Sequence, residues 1–131
     1  VEALLQVEAW SPEHVAAGVV DPDGIRAWHG DEAREYRWAS ITKPVAALAT
    51  LVAAEEGVVD LDEEAGPPGS TVRHLLSHAS GLPFDGTVPI ASPGERRIYS
   101  NAGFEVLGQH LERRAEMPFV EYLSAAVLEP L

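Results

Sequence analysis

Ser40 and Lys43 stand three residues apart in RWASITKPVAAL, residues 37–48, and Lys43 is the only lysine among nine basic residues. A serine hydroxyl is a poor nucleophile near neutral pH and needs a base within hydrogen-bond reach. On a helix, residues i and i+3 share one side, with Cβ atoms about 5–6 Å apart, so this spacing suits a serine nucleophile and a lysine base. A lysine acts as base only if its pKa falls well below about 10.4, which burial or a neighbouring cation achieves. The alanine- and leucine-rich stretch after Lys43 is the expected source of that burial. Chance alone, at roughly average serine usage, would set a serine at this offset about once in fourteen. Coding bias alone would account for the preference for arginine elsewhere, yet under such bias the one surviving lysine is favoured as a position where a guanidinium, which does not deprotonate in proteins, cannot substitute.

A second cluster lies in RRIYSNAGF. Tyr99 and Asn101 are two apart, so in an extended segment both side chains project the same way, offering a phenol to relay a proton and an amide to orient a substrate or Lys43. The plainer reading is a capping turn with Asn101 as N-cap of the helix that follows.

Several elements must position these groups. PVAALATLVAAEE, ending at Gly57, predicts a mostly buried helix starting near Ser40, with Pro44 in its first turn and glycine at its C-terminus. Its unpaired N–H groups and positive dipole end would favour an oxyanion, and the Ser40 N–H is a candidate donor. Upstream, Leu4, Leu5 and Val7 suit a short helix ended by Ser11 and Pro12. VAAGVV and IRAWH flank the turn DPDG, residues 21–24, and predict a β-hairpin. Thr71 is placed to cap VRHLLSHA. In the last third, Phe104, Leu107 and Leu111 share a helical face, and a new helix after Pro118 should face inward with Val120, Leu123 and Val127. The reading gives about five helices but one hairpin, and a lone two-stranded sheet is marginally stable in water.

With 131 residues, the chain has the length of one domain. Its net charge of −12 repels phosphate backbones and anionic lipid surfaces, so nucleic acid is not an expected partner. No cysteine is present, which removes disulfides, thiolate metal sites and a cysteine nucleophile. The apolar stretches are too short to span a bilayer, and no signal peptide is evident in VEALLQVEAW; the compartment stays open. His14, His29 and His110 lack metal-ligand spacing, and no metal or organic cofactor is implied.

Taken in order, SITK, LDEEA, TVRHLLSHASGLP, PGERRIYSNAGFEVLG and PFVEYLSAAVLEPL resemble the serine β-lactamase and penicillin-binding-protein superfamily, most closely its class C β-lactamase-like branch with esterases and D-amino-acid peptidases. The resemblance runs from about Trp38 to Leu131. It implies an α/β (α+β) fold: an N-terminal helix and hairpin over 1–37, then a nucleophile helix and helical region over 38–131, together one partial domain. It also implies Ser40 as acylated nucleophile, Lys43 as its base partner, Tyr99 as proton shuttle and Asn101 as orienting amide. HLLSHASGLP, with Ala79 where the signature usually has threonine, is read as structural, and packing or capping is the favoured role for His74 and His78.

One family motif is absent from these 131 residues: the His/Lys-Thr/Ser-Gly triplet on a sheet-edge strand, which supplies the second oxyanion N–H. Together with the shortage of strands, this suggests the N-terminal part of a longer hydrolase, whose remaining antiparallel sheet comes from a complementary segment or chain. The first functional expectation is a serine hydrolase forming an acyl-enzyme on an ester or amide substrate, small molecule or peptide. The alternative is a non-catalytic binding or assembly module that needs a complementary chain. An ordinary helical domain with an accidental S-x-x-K would require the later matches to be accidents too. Trp38, Phe84 and Tyr99 can line an apolar acyl site, although aromatic residues at such spacings are more often core.

Overall fold

The computed structural model describes residues 2–131, and the chain divides into two compact units, Val1–Arg37 and Trp38–Leu131. In the first, α1 (Glu2–Leu5) passes into a 3-10 turn at Gln6–Ala9 that buries Val7. Strands β1 (Ala17–Asp21) and β2 (Gly24–His29) then pair antiparallel, with Ala17 opposite His29 and Asp21 opposite Gly24. The turn works as its composition suggests. Gly24 takes a φ of 124°, which a side chain would resist, and Arg26 reaches back to the carboxylates of Asp21 and Asp23. The Trp28 ring lies over Gly18, where a Cβ would come within 2.8 Å of it. A bulge interrupts the ladder between Val19 and Val20. Just beyond it, the paired Val20 and Ile25 are 70% and 68% exposed.

The second unit is helical. Its long helices are α2 (Thr42–Glu55) and α4 (Asn101–Ala115), with short α3 (Val72–Leu76) and α5 (Phe119–Leu123) beside them. Alanines let α2 approach its neighbours closely: Ala49 and Ala53 pack with Val59, Leu111, Tyr122 and Val127 in one apolar cluster. One turn earlier on α4, Leu107 belongs to the other cluster, with Ala65, Val72, Leu75, Leu82 and Ala102. A single face of α4 thus serves both halves of this core, as the Leu107 and Leu111 spacing requires. Thr71 caps α3 by accepting the His74 N–H, while the His74 ring returns to the Thr71 N–H, so His74 is occupied in a capping box.

Polar ties reinforce the packing. Tyr122 donates to a Glu56 carboxylate oxygen at 2.6 Å, and burial followed by that carboxylate raises the phenol pKa. Glu63 faces His110 Nε2 at 2.6 Å and Arg114 Nε at 3.1 Å. Burial opposes ionisation of Glu63, but His110, the Asp60 N–H and Arg114 outweigh it and hold the carboxyl below its ordinary range.

Two local expectations need correction. Ser100, not Asn101, caps α4, its hydroxyl accepting the Gly103 N–H at 2.8 Å; Asn101 is the first helical residue and its amide is left for other partners. Val120 is 74% exposed, whereas Tyr122 and Val127 are buried. The cause is a widened π-turn at Ser124–Leu128 directly after the short α5, which changes the period that a uniform helix would keep.

At the end of α4, Glu116 adopts a left-handed φ of 54°, a position where glycine commonly stands. Glu116→Gly is expected to raise unfolding free energy by about 0.5–1 kcal/mol, since relieving the left-handed strain outweighs the flexibility gained by the unfolded chain. An unchanged or lower chemical-denaturation midpoint would contradict it.

Candidate active site

Ser40 lies in a 3-10 turn, Ala39–Ile41, that runs straight into α2. The turn is entered through Ala39 at a φ of 47°, a left-handed conformation that alanine rarely adopts. The Ile41 N–H closes the turn on the Trp38 carbonyl at 2.9 Å. The effect is to expose Ser40 while its neighbour three residues on, Lys43, is half-buried. Their side chains meet, with Lys43 Nζ 3.4 Å from Ser40 Oγ.

Lys43 is also met from the far side of the sequence. Its Nζ donates to Asn101 Oδ1 at 2.6 Å, from a residue 58 positions away. It stands 4.8 Å from the Tyr99 ring centroid and 5.9 Å from that of Phe104, within cation–π range. The Lys43 ammonium is therefore bordered by two aromatic faces and an amide. The Tyr99 phenol is held below its ordinary range, first by the Ser40 hydroxyl and then by Lys43. All four residues singled out by type and spacing, Ser40, Lys43, Tyr99 and Asn101, converge on one point. Of the aromatic candidates, Phe84 stacks near Tyr99 with ring centroids 6.1 Å apart, while Trp38 is half exposed.

A groove of about 540 Å³ opens from this point and runs between α2 and α4. Ala39, Lys43 and Asn101 border one end; Ala46, Phe104, Gly108 and Phe119 provide an apolar lining, and Glu105 and Glu112 add carboxylates. The arrangement gathers a hydroxyl, an amine, a phenol and an amide beside a partly apolar groove that Lys43 and Asn101 line.

Two contributors, Asp85 and Ala39, carry no signal in the sequence. Asn101 Nδ2 donates to Asp85 Oδ1 at 3.3 Å, and no local signal addresses Asp85 to a partner 16 residues on. Ala39 supplies the bend before Ser40, and no residue-type signal marks an alanine for left-handed backbone. His78, expected to pack or cap, packs against Tyr99 with ring centroids 4.6 Å apart.

Similar proteins show the same architecture. A crystal structure of a beta-lactamase from Mycobacterium bovis superposes with a TM-score of 0.87 and 52% identity, covering 98% of this chain and 47% of that one. The octameric penicillin-binding protein homologue from Pyrococcus abyssi gives a TM-score of 0.60 at 27% identity, covering 95% of this chain and 33% of that one. A penicillin-binding protein of Bacillus subtilis is 25% identical over 72% of this chain and 28% of its own length. The chain thus spans less than half the length of each of these relatives. The Beta-lactamase family model matches residues 9–131, and with the α+β fold and the solved neighbours in agreement, the chain belongs to the Beta-lactamase family.

Proposed function

We propose that this chain carries the nucleophile and proton-transfer groups of a serine hydrolase that acts on an ester or amide through an acyl-enzyme. The observation that carries the reading is the position of Lys43 Nζ, 3.4 Å from Ser40 Oγ and 2.6 Å from Asn101 Oδ1, beneath the Tyr99 ring. Ser40 Oγ attacks the substrate carbonyl and its proton passes to the Lys43–Tyr99 pair. The lowered phenol favours Tyr99 as the acceptor, with Lys43 stabilising the phenolate beside it. Collapse of the tetrahedral intermediate returns the proton to the leaving alcohol or amine, and water then releases the acyl group from Ser40 by the reverse path. Asn101 holds Lys43 in place and is itself held by Asp85.

The Ser40 N–H, at the start of the turn leading into α2, serves as one oxyanion donor. In this reading a complementary segment or chain carrying a His/Lys-Thr/Ser-Gly triplet supplies the second donor and the strand that faces the substrate. β-Lactams, activated esters and D-amino-acid peptides are the substrates to try first.

A phosphonate or β-lactam probe, followed by peptide mass spectrometry, tests the assignment. The expected result is one modification at Ser40 in the presence of the complementary segment and little or none without it. Labelling that persists in Ser40→Ala would overturn it. A protein inert to every probe even when the segment is supplied would favour the binding-module reading.

A further inference from the structure

His78 is buried, only 8% exposed, and has no part in the proton transfers above. It follows α3 with a φ of 60°, a left-handed backbone in which histidine, asparagine and aspartate are enriched among residues other than glycine. Its contacts bracket one residue. The His78 carbonyl accepts the Ile98 N–H at 2.7 Å, and its ring Nδ1 accepts the Ser100 N–H at 3.1 Å. Between those two bonds stands Tyr99, whose ring lies 4.6 Å from the imidazole, with Phe104 on the imidazole as well at 5.1 Å.

A backbone N–H pointing at Nδ1 requires that nitrogen to be an acceptor, so the ring is neutral with its hydrogen on Nε2. We propose that His78 is the positioning residue for Tyr99: it holds the backbone on both sides of the tyrosine and its ring against one face, keeping the phenol beside Ser40 and Lys43. In function this rests on the serine-hydrolase reading, although the effect on Tyr99 itself does not.

Chemistry explains why a titratable ring is tolerated in this place. Burial first, then the positive charges of Arg97 on the segment before α4 and Lys43 on α2, hold His78 below its ordinary value of 6.5. The imidazole therefore stays an acceptor through neutral pH. Because the unfolded chain binds the proton more readily, the contribution of His78 to stability is present above about 6.5 and is lost as pH falls through the lower folded value. Protonation turns Nδ1 into a donor facing another donor, which breaks the bond to the Ser100 N–H and loosens the hold on Tyr99.

Tyrosine labelled with carbon-13 at the phenolic carbon, in the full chain, reports Tyr99 directly; Tyr99→Phe assigns its signal among the three tyrosines. Native Tyr99 is expected to titrate below about 10. His78→Gly, which keeps the backbone but removes ring and acceptor, should return it to the ordinary value and slow Ser40 acylation on the order of tenfold to a hundredfold. His78→Asn tolerates the left-handed backbone and offers Oδ1 to the Ser100 N–H. It should keep Tyr99 near its native titration point, recover most of the rate, and abolish the part of the acid fall-off due to His78.

Tyr99 titrating unchanged in a folded His78→Gly protein would overturn the proposal. So would a folded His78→Asn protein in which Tyr99 titrates at the ordinary value, a result that decides the matter if the glycine variant fails to fold. Absence of acylation in the native protein even with the complementary segment supplied would instead overturn the hydrolase reading, leaving the tyrosine titration to judge His78.

Discussion

Lys43→Arg is expected to slow acylation of Ser40 by at least about a thousandfold, close to the effect of removing the serine, while leaving the fold intact. Charge is conserved in this exchange, so the loss would come from shape and proton chemistry. Lys43 presents one compact nitrogen that reaches both Ser40 Oγ and Asn101 Oδ1 while sitting over the Tyr99 ring. A guanidinium spreads its charge over a planar fork, is larger at the point where four side chains meet, and does not release a proton. It would displace Tyr99 or Ser40 rather than mediate between them. Single-turnover labelling of Ser40, alongside circular dichroism to confirm folding, checks the expectation. A rate within tenfold of native would mean that only positive charge is needed at this position.

Leu111→Ala is expected to cost about 3–4 kcal/mol of stability, a large share of the 5–15 kcal/mol typical of a domain. Leu111 is 1% exposed and packs with Ala49, Ala53, Val59, Tyr122 and Val127. The two α2 residues in that cluster are already alanines, which have no side-chain length with which to fill the space that leucine would vacate. The cavity should persist, and the cost should lie toward the upper part of the range for such truncations. Urea denaturation would show a lower midpoint with an unchanged slope. The exposed Val120 provides the contrast: Val120→Ala should fall within about 0.5 kcal/mol of native, despite its place in an apolar pattern.

What was legible in the chain was local. The hairpin follows from Pro22 and Gly24 between two β-branched and apolar runs, because a turn is decided by the φ angles of a few consecutive residues. Thr71 announces the start of α3 for a similar reason: its hydroxyl needs a partner only three residues away. Ser40 and Lys43 could be paired from spacing alone, since one helical turn separates them and their side chains do meet. Membership of the family was also written in the order of the motifs, which the match over residues 9–131 now shows.

Tertiary structure decided the rest. Which of Ser100 and Asn101 caps α4 depends on the other demands upon them: Ser100 also donates to the Pro83 carbonyl at 2.6 Å, and Asn101 is drawn to Lys43. The link from Asn101 to Asp85 and the clamp of His78 around Tyr99 join positions whose separation in sequence carries no record of their distance in space, and the left-handed φ of Ala39 has no residue-type signal. Residue types and short spacings determined the chemistry available to this protein, because those properties belong to a single turn of chain. Packing of α4 on α2, and of α3 on α4, determined which of those groups share one site, because convergence is a property of several segments at once.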